Sequence, residues 1–265
     1  MSKLIFFDTE TTGNTEKDFL TQIAYKTTAT SAMGSGEPRE TFVALYKPEI
    51  KIPPEVSAIH HITNKMVENL SSFKTSEDFA KIKKLFENED SVVVAHNAPF
   101  DLMMIKKEGI DPKKFICTLR VVRYLDPENK IAQYKLQYLR YLLELEVEAT
   151  AHDALGDVLV LEKLFERLYK KVQEELKKDP LAPDKSSWGT PPSQGGEDPV
   201  IEKMLEISSH PSLLRIFNFG KHIGKKIEEV LKTDRGYLEW LLAQKLASDQ
   251  IDEDWIYTLK YYLEK

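Results

Sequence analysis

The stretch Leu4-Ile5-Phe6-Phe7-Asp8-Thr9-Glu10-Thr11-Thr12-Gly13 constrains the rest of the chain more than any other. Four apolar residues run straight into an acidic pair. A short apolar run closed by a turn signal predicts a strand buried on both faces, at the centre of an α/β sheet. Side chains alternate along a strand, so Asp8 and Glu10 point to the same side at its end. Like charges held there repel unless a cation sits between them, and hard divalent ions such as Mg²⁺ favour carboxylate oxygen. An acidic strand end followed by a solvated Thr-Gly turn is the plainer reading of the same residues.

The remaining residues bound the answer. A chain of 265 residues suffices for one large domain, or for a large and a small one. The net charge of -6 argues against a broadly basic nucleic-acid coat, yet leaves room for a local basic groove beside an acidic metal site. Cys117 is the only cysteine, which excludes an intrachain disulfide and makes a reducing cytoplasm the expected location. The first residues enter a strand at once, with no signal-peptide pattern, and no apolar run approaches membrane-spanning length.

Residues 19–28 and 41–46 read as two further strands, joined by a hairpin loop over Ser31 to Pro38. The stretch Lys51 to Asn69, with Pro53-Pro54, is too irregular for one element. Helical spacing of Phe79, Ile82, Leu85 and Phe86 predicts a helix over residues 77–87, and Val92-Val93-Val94-Ala95 a second buried strand. That strand leads into His96-Asn97-Ala98-Pro99-Phe100-Asp101, where Pro99 suits the first turn of a helix. Asp101 then stands at the sheet's carboxyl edge, where open α/β folds build their sites. Residues 117–125 and 135–143 read as short helices. Thr150 and Asp153 resemble a capping box, and a long amphipathic helix follows through Leu155, Val158, Leu159, Phe165, Leu168 and Val172. His152 near its start and Asp157 one turn in are both within reach of one site. Residues 179–199 hold five of the thirteen prolines with three glycines, which reads as a linker. Helical periodicity returns after Val200.

Taken in order, Phe7-Asp8-Thr9-Glu10-Thr11-Thr12-Gly13, His96-Asn97-Ala98-Pro99-Phe100-Asp101 and His152-Asp153-Ala154-Leu155-Gly156-Asp157 resemble the DEDDh 3′–5′ exonuclease superfamily over about residues 1–175. A sibling branch has Tyr four residues before the last Asp; here that position is Asp153, which points to the His branch. The resemblance implies a ribonuclease-H-like mixed sheet flanked by helices. It implies two Mg²⁺ or Mn²⁺ ions on Asp8, Glu10, Asp101 and Asp157, with His152 as general base. It further sets Thr11 and Thr12 beside the terminal nucleotide, an apolar wedge at Ile59 and Ile62, and Asn97 and Phe100 along the strand groove.

The C-terminal segment resembles the small, mostly α accessory domain of exonuclease X-like proteins, through Phe219-Gly220-Lys221-His222-Ile223-Gly224-Lys225-Lys226 and Tyr237-Leu238-Glu239-Trp240-Leu241-Leu242. Its glycines are too close for a phosphate-cradling P-loop. Lys221, His222, Lys225 and Lys226 with Tyr237 and Trp240 suit phosphate contact and base stacking; a solvated turn fits them equally. The expectation is therefore an exonuclease domain over 1–178, a linker over 179–199 and an accessory domain over 200–265. The expected activity is metal-dependent release of 5′-mononucleotides from a free 3′ end, of DNA before RNA. A non-catalytic nucleic-acid-binding module is the rival from another class. A polymerase or other protein partner, or a homodimer, fits the same resemblance, and no membrane association is expected.

Overall fold

A computed structural model describes residues 3–29, 40–148, 153–178, 198–249 and 252–264. Its centre is β1 (Lys3–Thr11). On one side β1 pairs antiparallel with β2 (Leu20–Ala29), which pairs antiparallel with β3 (Thr41–Leu45). On the other side β4 (Ser91–Ala95) and β5 (Phe115–Cys117) run parallel to β1, giving the order β3-β2-β1-β4-β5. The strand alternation is visible in what each face buries. Leu4, Phe6, Val92 and Val94 enter one core, and Ile5, Phe7, Val93 and Ala95 the other.

Helices cover both faces. The chain forms α1 (Pro54–His60), α2 (Asn64–Val67), α3 (Asp78–Phe86), α4 (Ala98–Lys107), α5 (Thr118–Leu125), α6 (Leu136–Leu142) and α7 (Ala154–Lys178). Helices α3 and α4 supply Ile82, Phe86, Leu102 and Ile105 to the second core, where Phe7 meets Phe86 edge to face at 5.2 Å. The long α7, about 37 Å by its rise per residue, lays Val158, Leu161, Phe165, Leu168 and Val172 on the first core, with Phe165 edge-on to Phe6 at 5.2 Å. Each fully buried Phe stabilises by about 1.5–3 kcal/mol. Midway along α7, Glu162 forms a buried ion pair with Lys26 of β2 at 2.5 Å. Among the described residues, no helix is long and apolar enough to cross a membrane.

The stretch 51–69 is not one element but α1 and α2, separated by His61 in left-handed backbone at φ 62. Three other expectations change. Cys117 ends β5 instead of opening a helix, and α5 begins at Thr118. Pro199 starts α8 (Pro199–Ser209) instead of ending the linker, with Asp198 capping the Val200 amide at 2.9 Å. Helix α8 also lies elsewhere than expected: Val200, Ile201 and Met204 are buried in the first core beside α5 and α7. The hairpin loop from Ser31 to Pro38, the linker from 179 to 197, and Thr150 lie outside the described residues.

Beyond α8, α9 (Ile227–Thr233), α10 (Arg235–Ala247) and α11 (Glu253–Leu263) enclose a separate core of Leu214, Phe217, Ile227, Leu238, Trp255 and Leu259. Ion pairs join it to the sheet unit. Arg120 and Arg123 of α5 reach Asp254 of α11, and Arg120 also meets Glu253.

Candidate active site

The carboxyl end of β1 delivers Asp8 and Glu10 together because they are two residues apart on a strand. One turn into α7, Asp157 completes a group in which one carboxylate oxygen from each residue lies within 4.8 Å of the others. Asp101 joins from the first turn of α4, where it is buried. A single oxygen of Asp101 accepts both the Thr9 amide at 3.1 Å and the Thr9 hydroxyl at 2.7 Å. The backbone turns into α4 through Asn97, at φ 68 in the left-handed region that Asn tolerates better than most residues.

Electrostatics describe a set of acids crowded together. Burial first, then the charges of Asp157 and Asp101, push Glu10 from its ordinary 4.5 to about 8. Asp8 rises well above the carboxylate range through burial, then repulsion from Asp101, Glu10 and Asp157. Burial also lifts Asp101, against the two Thr9 hydrogen bonds that favour its ionised form. The strongest charges acting on Asp8 and Glu10 are all acidic. Hard oxygen donors at this spacing fit a divalent cation such as Mg²⁺ or Mn²⁺.

Supporting contacts hold the acids in place. Gln137 of α6 donates its amide to Asp157, while its carbonyl accepts Arg140 at 3.4 Å. Gln22 of β2 accepts the Ala154 amide at 3.3 Å, and Asp153 accepts that of Gly156 at 3.4 Å, so the start of α7 is tied to the sheet and capped. His60 Nδ1 accepts the Ile62 amide at 3.0 Å, so its Nε2 carries the proton and donates to the Thr11 carbonyl at 3.2 Å. Burial lowers the His60 pKa, keeping it neutral. His96 is likewise held at about 4 by burial, with Nε2 donating to the Tyr134 carbonyl at 2.7 Å. Both histidines therefore serve structure. Periodicity could not reveal Thr9, Gln22, His60 or Gln137 as partners; only the polar side chains themselves signalled them.

The residues expected along the substrate divide. Ile59 is 54% exposed, whereas Ile62 is 3% exposed and packs against Ile52 and Val67. Of the two, only Ile59 is open to solvent, and Ile62 is a core residue. Thr11 and Thr12 are buried. The Thr11 hydroxyl donates to the Gly13 carbonyl, and that of Thr12 donates to Asp18 at 3.0 Å, so neither side chain is turned outward to a nucleotide. A Cβ at Gly13 would stand 2.5 Å from Asp18 Oδ1, so a larger residue there would displace the carboxylate that Thr12 and Thr15 hold. Asn97 is exposed and Phe100 half-buried at the head of α4. His152 lies outside the described residues.

Residues 5–165 match the exonuclease family (RNase_T), and residues 217–245 match the exodeoxyribonuclease X-like C-terminal domain. Exodeoxyribonuclease 10 of Escherichia coli is 30% identical over 221 residues, covering 83% of each chain. DNA polymerase III subunit epsilon of Treponema pallidum is 34% identical over 168 residues, covering 60% of this chain and 73% of that protein. Among solved structures, exonuclease X in complex with 5′ overhanging duplex DNA aligns at a TM-score of 0.54 and 24% identity, over 78% of this chain and 99% of that one. Escherichia coli exonuclease I with a dT13 oligonucleotide aligns at 0.53 and 22%, over 67% and 44%. At these identities the structures speak to the fold alone, a mixed sheet flanked by helices as in ribonuclease-H-like exonucleases.

Proposed function

The chain belongs to the exonuclease (RNase_T) family, and from that premise we propose that it releases 5′-mononucleotides from the free 3′ end of DNA in a divalent-metal-dependent hydrolysis. The observation that carries the reading is the convergence of Asp8, Glu10 and Asp157 from two distant segments, with Asp101 beside them. Four carboxylates crowded at one sheet edge, Asp101 among them buried and the other three partly so, destabilise a fold unless they have a charge to hold, which weighs against a non-catalytic module.

Asp8, Glu10, Asp101 and Asp157 would hold two Mg²⁺ or Mn²⁺ ions. When bound, such ions supply a hydroxide near neutral pH and neutralise charge on the phosphate and the leaving oxygen. Thr9 aims Asp101 and favours its ionised form against the effect of burial, and Gln137 holds Asp157 in place. His152 accepts the proton of the attacking water, since imidazole titrates in the right range. DNA is the choice because the similar Escherichia coli protein is named an exodeoxyribonuclease. The exonuclease domain extends through α8, and the accessory domain begins beyond it.

The test is turnover of matched DNA and RNA oligonucleotides with free or blocked 3′ ends in Mg²⁺. Mononucleotides should appear from the free DNA end only. His152→Ala should cut turnover roughly 10²–10⁴-fold. Equal digestion of blocked ends, or activity surviving excess chelator, would overturn the reading; faster digestion of RNA would make the enzyme an exoribonuclease.

A further inference from the structure

We propose that the turn from Arg215 to Lys226, together with Tyr237 and Trp240 of α10, binds single-stranded nucleic acid several nucleotides behind the end that enters the carboxylate site. The inference rests on the nuclease reading for its substrate, but the binding surface has its own evidence.

From Pro211 to Ile227 the chain carries Arg215, Lys221, Lys225 and Lys226 and no acidic residue, in a protein of net charge -6. The segment folds back on itself: Ile216 pairs antiparallel with Lys226, and the Phe217 amide donates to the Lys225 carbonyl at 2.9 Å. Gly220 and Gly224, at φ 70 and 80, make the bend. At 220 a Cβ would stand 2.6 Å from the Tyr237 hydroxyl, on a backbone that favours glycine. The bend is thus pressed onto the aromatic face of α10. Lys225 and Lys226 are exposed, and among the described residues neither enters an ion pair.

The aromatic half is as pointed. Tyr237 and Trp240 are three residues apart on α10, with ring centroids 5.5 Å apart and planes 32° from parallel. Lys221 Nζ lies 4.7 Å from the Tyr237 ring centroid and pairs with Asp234 at 2.7 Å. Trp240 is 54% exposed, a large flat surface continuous with the Tyr237 ring. Of the nearby acids, Asp234 pairs with Lys221, Glu228 with Lys232 and Glu239 with Arg235, while Glu229 stands exposed in the first turn of α9. Cations that track a phosphate backbone, beside rings on which any base can stack, fit a single strand irrespective of sequence.

The helix that carries the two rings also ends near the catalytic strand. Just past α10, Asp249 pairs with Lys17 at 2.6 Å, and Lys17 sits in the loop that follows β1. That exposed pair adds little energy, but it brings the end of α10 to the catalytic strand. Trp240 is seven residues before Ala247, about 10 Å along the helix.

The test uses the full chain in chelator, with oligothymidylates of about four and about twenty nucleotides, sizes that bracket one binding site. Replacing Lys225 and Lys226 together by Glu should weaken long-strand binding about tenfold or more, and flatten the slope of log affinity against log salt by roughly 1.4, for two lost phosphate contacts. Trp240→Ala should weaken it about tenfold and leave the slope unchanged. Turnover of the short strand in Mg²⁺ should stay at the wild-type rate in both. Wild-type long-strand affinity and slope in both variants would overturn the inference and leave the nuclease reading standing; this is also the result if the surface serves a protein partner. A wild-type chain that binds the long strand through these residues yet cuts neither strand would keep the inference and sink the nuclease reading.

Discussion

Thr9 and Asp101, 92 residues apart in the chain, are joined twice, the amide and hydroxyl of the one meeting a single carboxylate oxygen of the other. The contact couples the central strand to the first turn of α4. It also favours the ionised state that a metal ligand requires. Thr9→Val keeps the shape and removes one donor. A hydrogen bond to a charged group is worth about 1.5–3 kcal/mol. The Mg²⁺ concentration for half-maximal activity should therefore rise about tenfold or more, and raising the pH should recover part of the loss. A variant with wild-type metal dependence would show the hydroxyl to be dispensable.

Asp8→Asn removes one charge from a site where all strong neighbours are acidic. Turnover should vanish. The metal-free protein should nevertheless melt several degrees higher than wild type at pH 8, and gain less on adding Mg²⁺. Calorimetry with and without metal checks both; a lower melting point would mean that Asp8 is held by a favourable contact.

The same crowding sets a pH dependence. Glu10 ionises near 4.5 when unfolded and near 8 when folded. Between those values the folded state keeps a proton that the unfolded chain has released. Metal-free stability should therefore fall as pH rises from about 4.5 to about 8. Metal needs the ionised form and expels the proton, so the stabilisation by Mg²⁺ should grow over the same range. Melting curves at pH 5.5, 7 and 8.5 test this. A metal-free protein that grows more stable with pH would contradict the raised carboxylate.

Helix α8 fixes where the nuclease unit can be cut. A chain ending at Lys178 bares the surface that covers Val200, Ile201 and Met204. At about 1.5–3 kcal/mol per buried side chain, it should melt roughly 10 °C or more below a chain ending after His210. The longer truncation should keep wild-type turnover on a short strand. Equal melting points for the two would show that α8 adds nothing to the core.

At the junction, losing one residue should harm more than losing the whole unit. Arg120 has its side chain only 4% exposed and meets both Asp254 and Glu253. Asp254→Ala in the full chain leaves Arg120 and Arg123 enclosed and short of a partner, at a cost of roughly 3–5 kcal/mol. Truncation after His210 returns both arginines to water. Urea unfolding of the two should therefore show the point variant's sheet unit the less stable. The reverse order would mean that water already reaches the pair.

The central strand and the four acids were legible because each signal is local: a buried run, an alternation of two, a proline opening a helix. What joins them was not. Thr9 to Asp101 and Gln137 to Asp157 bridge separate segments, and no local pattern encodes a pairing. The three residues of β5 are too few to display a period. Ile59 and Ile62 look alike in an irregular stretch, and only the seating of Ile62 on Ile52 and Val67 separates them. Helix α8 was misassigned because proline and glycine before it read as a break, while its apolar face closes a core formed far upstream.

The arginine pair on α5 has a consequence for how such proteins recombine. An accessory unit can be exchanged for another only if the newcomer brings a carboxylate to the place of Asp254; an apolar or basic newcomer would entomb two cations. The nuclease half thereby vets what is fused to it, and a descendant that shed the unit would be free to let Arg120 and Arg123 drift to any soluble residue.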